Sequence, residues 1–276
     1  MNLFSHDPGQ RGLVATLIVA MLGVTHGPVQ AAAAAPAAVL TPEQIAKLIE
    51  EGTGVLKQGN PELAIKDYFE PVNQSFMRQT AKAAADEEVY ASHSATETTA
   101  YAAKVAKENE GAKTPVRLVT VDGAWTDSLV LKARALVELK RIDQAKSALN
   151  QALVISPANP SVWLELGSVY KEEKNWEKSF SNYKNAENYT GAVEDKTLQT
   201  QTLIAAYHGQ ANALTELARL DEAATLYKQC LKHDAGDTVA SAGMARIAEL
   251  RGASGAGSAA PAAAPPTATP PKPASH

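Results

Sequence analysis

The stretch SVWLELGSVYKEEKNWEKSFSNYKNAE, Ser161 to Glu187, decides the fold. Apolar and small residues recur in it at helical spacing on both sides of a break at Lys174–Asn175, which predicts two short helices joined by a turn. Such a pair cannot bury both apolar faces by itself, so it must stack against further helices. The residues that form the two stripes are Trp163, Leu166, Gly167 and Tyr170, then Ser179, Tyr183 and Ala186.

The same pattern recurs along the chain. A step of 34 residues back from Gly167 and Ser179 reaches Ala133 and Ala145, two small residues in the same register. A later copy follows after an insertion of ten residues that begins near Asp195, and a more divergent copy begins at Ile45. The three clear copies are Thr126–Asn159, Pro160–Val193 and Ile204–Asp237.

This period and residue pattern resembles the tetratricopeptide repeat family, whose 34-residue unit is a helix–turn–helix with small residues where its two helices touch. The resemblance implies an all-α repeat solenoid, in which Gly167 or Ala133 lies opposite Ser179 or Ala145. We expect the helix Thr238–Leu250 to cap its last repeat. The chain departs from the family pattern at Lys132, Gln210 and Pro71.

The segment between the first two copies, Met77–Asp122, is too long for a turn. Its Ala-rich, charged first part predicts an extension of the first copy's second helix and another helix around Glu97–Lys107. Val116–Gly123 alternates apolar and polar residues and is compatible with extended structure. The fold class is therefore an all-α, tetratricopeptide-like superhelix with a helical insertion and a disordered C-terminal tail.

The N-terminus has the pattern of a signal peptide. Leu13–Val24 is a run of twelve uncharged, mostly apolar residues, too short for a membrane span, and small residues at Val29 and Ala31 suit cleavage. We expect an exported, periplasmic or secreted chain with no membrane span after cleavage near Ala31. The predicted organisation is a signal peptide at 1–31, a linker at 32–41, a divergent first helix pair at 42–76, the insertion at 77–122, three repeats plus a capping helix at 123–251, and a disordered Ala/Pro-rich tail at 252–276.

Composition and motifs argue against several functions. The chain of 276 residues carries a formal charge of −4 and no basic block, so nucleic acid is not expected as a partner. It has no GxSxG, HExxH, Walker or Rossmann motif, so we predict no catalytic residue and no cofactor. Cys230 is the only cysteine and stands three residues before His233. The pair is compatible with metal ligation, but we expect Cys230 to fill a small core position and predict no metal site.

The family resemblance places the partner-binding groove on the concave face. Residues of the first helix in each repeat line this face. Mixed small, polar and apolar side chains there suit a peptide or protein partner. The set of Lys and Asn residues with which some family members hold a C-terminal carboxylate is incomplete here. The groove residues carried over by register are Val130, Arg134, Leu164, Ser168, Lys171, His208, Asn212 and Thr215.

Three functions remain open from the sequence. The first is a non-enzymatic scaffold of the periplasm or cell envelope that binds another protein. The second is a chaperone-like or envelope assembly factor, and the third is an enzyme or enzyme subunit with its site in the 77–122 insertion.

Overall fold

A computed structural model describes residues 39–257, with side chains described for 39–252. The first helix pair is α1 (Pro42–Lys57) and a long second helix built from α2 (Pro61–Ala64), a π-helical turn (Ile65–Phe69) and α3 (Glu70–Thr80). The insertion follows as β1 (Glu87–Ser92), α4 (Ala95–Asn109) and β2 (Arg117–Asp122). Three further pairs are α5 (Ala124–Glu138) with α6 (Ile142–Ile155), α7 (Pro160–Glu172) with α8 (Trp176–Tyr189), and α9 (Lys196–Glu216) with α10 (Leu220–His233), before a last helix α11 (Thr238–Gly257).

Consecutive pairs pack against one another, so the chain forms the predicted all-α repeat solenoid. We call the first helix of each pair helix A and the second helix B. The predicted signal peptide lies outside the described residues, as do most of the linker and the end of the tail. Among residues 39–257, no helix is both long and apolar enough to cross a bilayer.

The last helix is longer than predicted. We expected disorder from Gly252, but α11 continues to Gly257, so the prediction is wrong for the first residues of the tail. No residue of this stretch forces the helix to end, because the first proline comes only at Pro261.

Each helix pair turns through one residue in the left-handed backbone region. Gly59, Lys140, Lys174 and Ala218 occupy equivalent turn positions, with φ of 78°, 59°, 55° and 58°. Glycine adopts this conformation without steric cost, whereas Cβ penalises it in the other three. The backbone hydrogen bonds that close the turn are the same in the last three pairs, which shows that the repeat geometry overrides residue preference there.

The predicted contact between small residues is present at the third pair. Ser179 is fully buried and donates its hydroxyl to the carbonyl oxygen of Gly167 at 2.8 Å. A Cβ on Gly167 would lie 2.9 Å from the ring of Tyr183, too close for a real side chain. Helix α7 can therefore approach α8 this closely only because position 167 is glycine.

A second glycine packs against the same ring. A Cβ on Gly209, in the helix A of the next pair, would lie 2.4 Å from Tyr183. The pair Tyr227 and Gly243 repeats this contact one unit later, with 2.2 Å between the ring and a Cβ on Gly243. Since Gly243 belongs to α11, this helix packs on the fourth pair in the way that a helix A packs on the preceding helix B.

The departures from the family pattern are each accommodated locally. Lys132 donates to Glu70 at 2.6 Å, and the buried Gln210 donates to Glu187 at 2.8 Å, so both polar residues bind a carboxylate from the preceding helix B. Pro71 is the second residue of α3, which begins directly after the π-helical turn. Because proline cannot donate a backbone hydrogen bond, it lies where the regular α-helical ladder is already interrupted.

The insertion is a β–α–β unit rather than a purely helical one. Strands β1 and β2 pair in parallel from Glu87 with Arg117 to Ser92 with Asp122, and α4 makes the crossover. The predicted helix is confirmed within α4, and the extended stretch is confirmed as β2. The predicted extension of the first helix B is short, because α3 continues past Phe76 only to Thr80. The chain then forms β1, which packs against α5 and α6 and contains Val89 and Tyr90, residues that favour a strand.

Candidate functional site

The candidate partner site is the surface formed by the helices A of the last three pairs. Helix α7 contacts both α5 and α9, so these three helices form a continuous row. We call this surface the A-helix face. It contains all eight positions that the sequence predicts for the groove, and six of them keep at least partial exposure.

An ion pair joins the first two helices of the A-helix face. Arg134 donates through Nε to Glu165 at 2.8 Å, and its Nη2 lies 2.5 Å from the same carboxylate oxygen. Arg134 is exposed, so this pair contributes little to stability, about 0–1 kcal/mol. Its main effect is to present a guanidinium at a fixed position between neighbouring repeats.

Helix α7 supplies the middle of the A-helix face. Leu164, Ser168 and Lys171 are all half-buried there. Ser168 lies close to the hydroxyl of Tyr183, whose pKa burial raises to about 12. Within residues 39–252 no ion pair engages Lys171, so its charge is available on this surface.

Two of the predicted groove residues belong to the core instead. Val130 is 5% exposed and packs in the main apolar cluster. Thr215 is 6% exposed and donates its hydroxyl to the carbonyl oxygen of Ala211 in its own helix at 2.8 Å. These side chains do not present a surface to a partner. The reason is that neighbouring repeats cover part of each helix A, which a register copied from single repeats does not reveal.

The far end of the A-helix face is polar. Asn212 is half-buried, and His208 lies 2.6 Å through Nε2 from a carboxylate oxygen of Asp237, just before α11. Asp237 also accepts from the backbone N–H of Ala240 at 2.9 Å. Burial by itself would raise the pKa of Asp237, but these hydrogen bonds and the charge of His208 together lower it. His208 is therefore attached to the start of α11 rather than projecting freely.

Cys230 lies behind this pair. It is fully buried at the small helix B position predicted for it, and burial raises the pKa of its thiol to about 11. Its neighbour in sequence, His233, is exposed, and its ring centroid lies 6.5 Å from that of Tyr207. The ligand atoms of Cys230, His208 and Asp237 all lie within 4.8 Å of one another. Sequence spacing missed this cluster because its members come from three different elements.

The insertion lies along one edge of the array, where the helices A begin. His93, just after β1, binds Asp127 in the first turn of α5 at 3.0 Å and Asn159, the N-cap of α7, at 3.1 Å. Ser94 donates to the carbonyl oxygen of Ala192 at 3.0 Å, and Thr96 contacts Glu194 shortly before α9. The insertion thus bridges three consecutive repeats.

A buried chain of hydroxyls reinforces this edge. Ser156, at the end of α6, donates to the carbonyl oxygen of Ala91 in β1 at 2.6 Å and lies 2.6 Å from the hydroxyl of Thr126. Both hydroxyl residues are fully buried. Because Ser156 uses its proton on Ala91, Thr126 donates to Ser156, and both side chains are satisfied.

His93 carries the strongest electrostatic coupling at this edge. Burial by itself would lower the pKa of its imidazole, but hydrogen bonds to Asp127 and Glu97, with the charges of these carboxylates, raise the pKa to about 10. The side-chain nitrogen of Asn159 is a donor that opposes protonation of the facing ring nitrogen. The two carboxylates determine the direction of the pKa shift of His93, because each carries a full charge and outweighs both burial and the Asn159 donor.

Comparison with known proteins agrees with the repeat register. A family model for the tetratricopeptide repeat matches residues 126–159 and 204–236, which coincide with the second and fourth helix pairs. No curated protein matches the chain. The crystal structure of BtubC (BKLC) from P. vanneervenii is similar over 84% of this chain and 98% of that chain, at 13% identity and a TM-score of 0.36, which is too distant to support an argument. The repeat matches and the helix pairs together identify the chain as a tetratricopeptide repeat protein.

Proposed function

We propose that this protein is a non-enzymatic scaffold that binds another protein through its A-helix face. Tetratricopeptide repeats suggest a role in protein–protein interaction, and the repeats here leave Arg134, Leu164 and Lys171 at least partly exposed on adjacent helices. The observation that carries the proposal is the charge of Lys171, which no ion pair engages among the described residues, on the helix next to the one that presents the guanidinium of Arg134. The two cations and the neighbouring leucine suit a peptide segment with an acidic and an apolar side chain.

We further propose that the protein acts after export, in the periplasm or cell envelope. The apolar run Leu13–Val24 and the small residues at Val29 and Ala31 support this location. N-terminal sequencing of the protein from envelope or secreted fractions tests it. We expect a mature N-terminus within Ala31–Pro36, and an intact Met1 on cytosolic protein would contradict export.

Affinity capture followed by titration tests the binding site. The bait is the full-length protein, and the captured partner is then titrated against Arg134→Glu/Lys171→Glu. We expect weaker binding, with the larger loss at low ionic strength, because charges near a binding surface act mainly through encounter rate. The matched control is Lys228→Glu/Lys232→Glu, the same charge change on exposed helix B residues of α10.

The experiment also separates the A-helix face from the insertion. Deleting the insertion is unsuitable, because it would expose the buried hydroxyls of Thr126 and Ser156. Charge reversal at Lys113 and Arg117, exposed in the insertion, keeps these contacts. Unchanged affinity in Arg134→Glu/Lys171→Glu, with loss in the insertion variant, would contradict the proposed site. Circular dichroism of each variant checks that the repeat fold persists.

A further inference from the structure

The last repeat and the last helix bring three metal-binding side chains together. His208 of α9, Cys230 of α10 and Asp237 at the start of α11 place their ligand atoms within 4.8 Å of one another. We propose that these three residues bind a divalent transition-metal ion of the zinc type at the far end of the A-helix face.

The donor set suits such an ion. A thiolate, an imidazole nitrogen and a carboxylate oxygen are the three donor types that zinc uses in proteins. Zinc bonds of about 2.0–2.3 Å in a tetrahedron imply ligand atoms about 3.3–3.6 Å apart. His208 Nε2 and Asp237 Oδ2 are now 2.6 Å apart, so an ion that replaces their hydrogen bond requires side-chain shifts of about 1 Å.

The surroundings hold the ligands in place. Asp237 is 7% exposed, and its other oxygen, Oδ1, accepts from the backbone N–H of Ala240, which fixes the carboxylate. Cys230 is fully buried against the carbonyl oxygen of Ile204. The hydrogen bond from Ala240 is of the kind that orients a metal-ligating carboxylate, whereas the contact of the Cys230 thiol with Ile204 ends when the thiol loses its proton.

The sulfur is not needed for packing. In the two preceding repeats Ala152 and Ala186 fill the position of Cys230, and both are fully buried. A methyl group therefore satisfies the steric requirement of helix B at this point. The thiol adds a donor directly behind the imidazole and the carboxylate.

A pocket of about 360 Å³ opens in front of the cluster. His208 and Asp237 form part of its wall, together with Gln201, Ile204 and Thr238. An ion entering from solvent meets these two ligands first and the sulfur behind them. A water molecule from the pocket can complete a four-coordinate site.

The charges balance on binding. As the metal bonds form, Cys230 loses its thiol proton to solvent, and Nε2 of His208 gives up the proton that it now donates to Asp237, so that the imidazole binds in its neutral form with its proton on Nδ1. A divalent cation with one thiolate and one carboxylate is neutral overall, which limits the cost of burying it. Since the ligands come from α9, α10 and the residue just before α11, the ion would join these three helices.

Cobalt(II) titration of the full-length, chelator-treated protein tests the site. We expect a thiolate-to-cobalt charge-transfer band and the intense visible absorption of four-coordinate cobalt, both removed by added zinc. The melting temperature should rise with zinc concentration. Cys230→Ala should abolish the charge-transfer band while keeping the fold, and Asp237→Asn, which can still cap α11, should weaken binding about 10- to 100-fold.

His233→Ala is the matched control, because His233 is near Cys230 in sequence but is directed toward Tyr207. It should bind cobalt and zinc like the unchanged protein. Absence of a charge-transfer band at saturating cobalt would overturn the proposal. Equal affinity and equal zinc-dependent melting in Cys230→Ala would also overturn it, because the ion would then be bound elsewhere.

Discussion

Ser179 donates its hydroxyl to the carbonyl oxygen of Gly167 at 2.8 Å, where helices α7 and α8 pack at their small residues. The contact requires two properties at once, a glycine on one helix and a small donor on the other. It fixes the packing of the third repeat and, through the ring of Tyr183, the position of the fourth.

Replacing Gly167 by Leu should force this helix pair apart. The added side chain would meet the ring of Tyr183, which a Cβ alone would approach to 2.9 Å. We expect the free energy of unfolding to fall by about 1–3 kcal/mol or more. Lys174→Ala, in the exposed turn of the same pair, should change it by less than about 0.5 kcal/mol. Equal shifts in the melting temperature for the two substitutions would contradict the assigned repeat register.

Gly209→Ala should show an effect that depends on residue 183. With Tyr183 present, the new Cβ overlaps the ring, and we expect a loss of about 1–2 kcal/mol. In a Tyr183→Leu background the overlap is relieved, and the helix propensity of alanine should stabilise by up to about 1 kcal/mol. Denaturant unfolding of the four variants in this cycle gives the coupling energy.

The control for Gly209 is Gly54→Ala. Gly54 lies within α1, and a Cβ there meets nothing within 4 Å. We expect this substitution to stabilise by about 0.5–1 kcal/mol. Equal stabilisation by Gly209→Ala with Tyr183 in place would contradict the close packing of the Tyr183 ring of α8 against Gly209 of α9.

Ala218→Gly should stabilise the protein, although glycine usually weakens helical proteins. Ala218 has a φ of 58° in the turn of the fourth pair, where Cβ is unfavourable. We expect a gain of about 0.5–1 kcal/mol in urea unfolding. Ala205→Gly, on an exposed position within α9, should lose about 1 kcal/mol. The same sign for both substitutions would argue against the left-handed turn.

His93→Gln should destabilise the protein in a pH-dependent way. The folded pKa of about 10 lies above the ordinary value of 6.5, so the charged imidazole stabilises the fold fully below pH 6.5. This contribution declines as pH rises toward 10. We expect wild type and variant to differ by about 1–2 kcal/mol at pH 6 and to converge near pH 10. Urea unfolding across this range provides the measurement, and a difference independent of pH would contradict a charged His93.

The repeats were predictable because their signal is local. The sequence alone shows the 34-residue period and the ten extra residues at the start of α9. It also shows the small residues, glycine or alanine on helix A and serine or alanine on helix B, where the two helices pack. The structure places Gly167, Ser179 and Tyr183 as the register requires. The same reasoning located the capping helix, although it ended that helix too early.

The insertion and the histidine contacts were not predictable in this way. Val89 and Tyr90 favour a strand, but the alanine-rich residues before them favour a helix, and pairing with β2 decides between these alternatives. Cys230 and His208 are 22 positions apart, and only the folded turn before α11 brings Asp237 to them. Burial of Val130 likewise depends on neighbouring helices rather than on its own repeat.

The edge position of the insertion changes how the array unfolds. In an ordinary repeat protein each unit touches only its neighbours, so the ends can fray independently and stability is roughly a sum over units. Here Ser94 and Ala192 are 98 positions apart and hydrogen-bonded, and Ser156 is joined to Ala91 across 65 positions. Such long-range contacts raise the contact order, slow folding, and couple the second, third and fourth repeats into one cooperative unit.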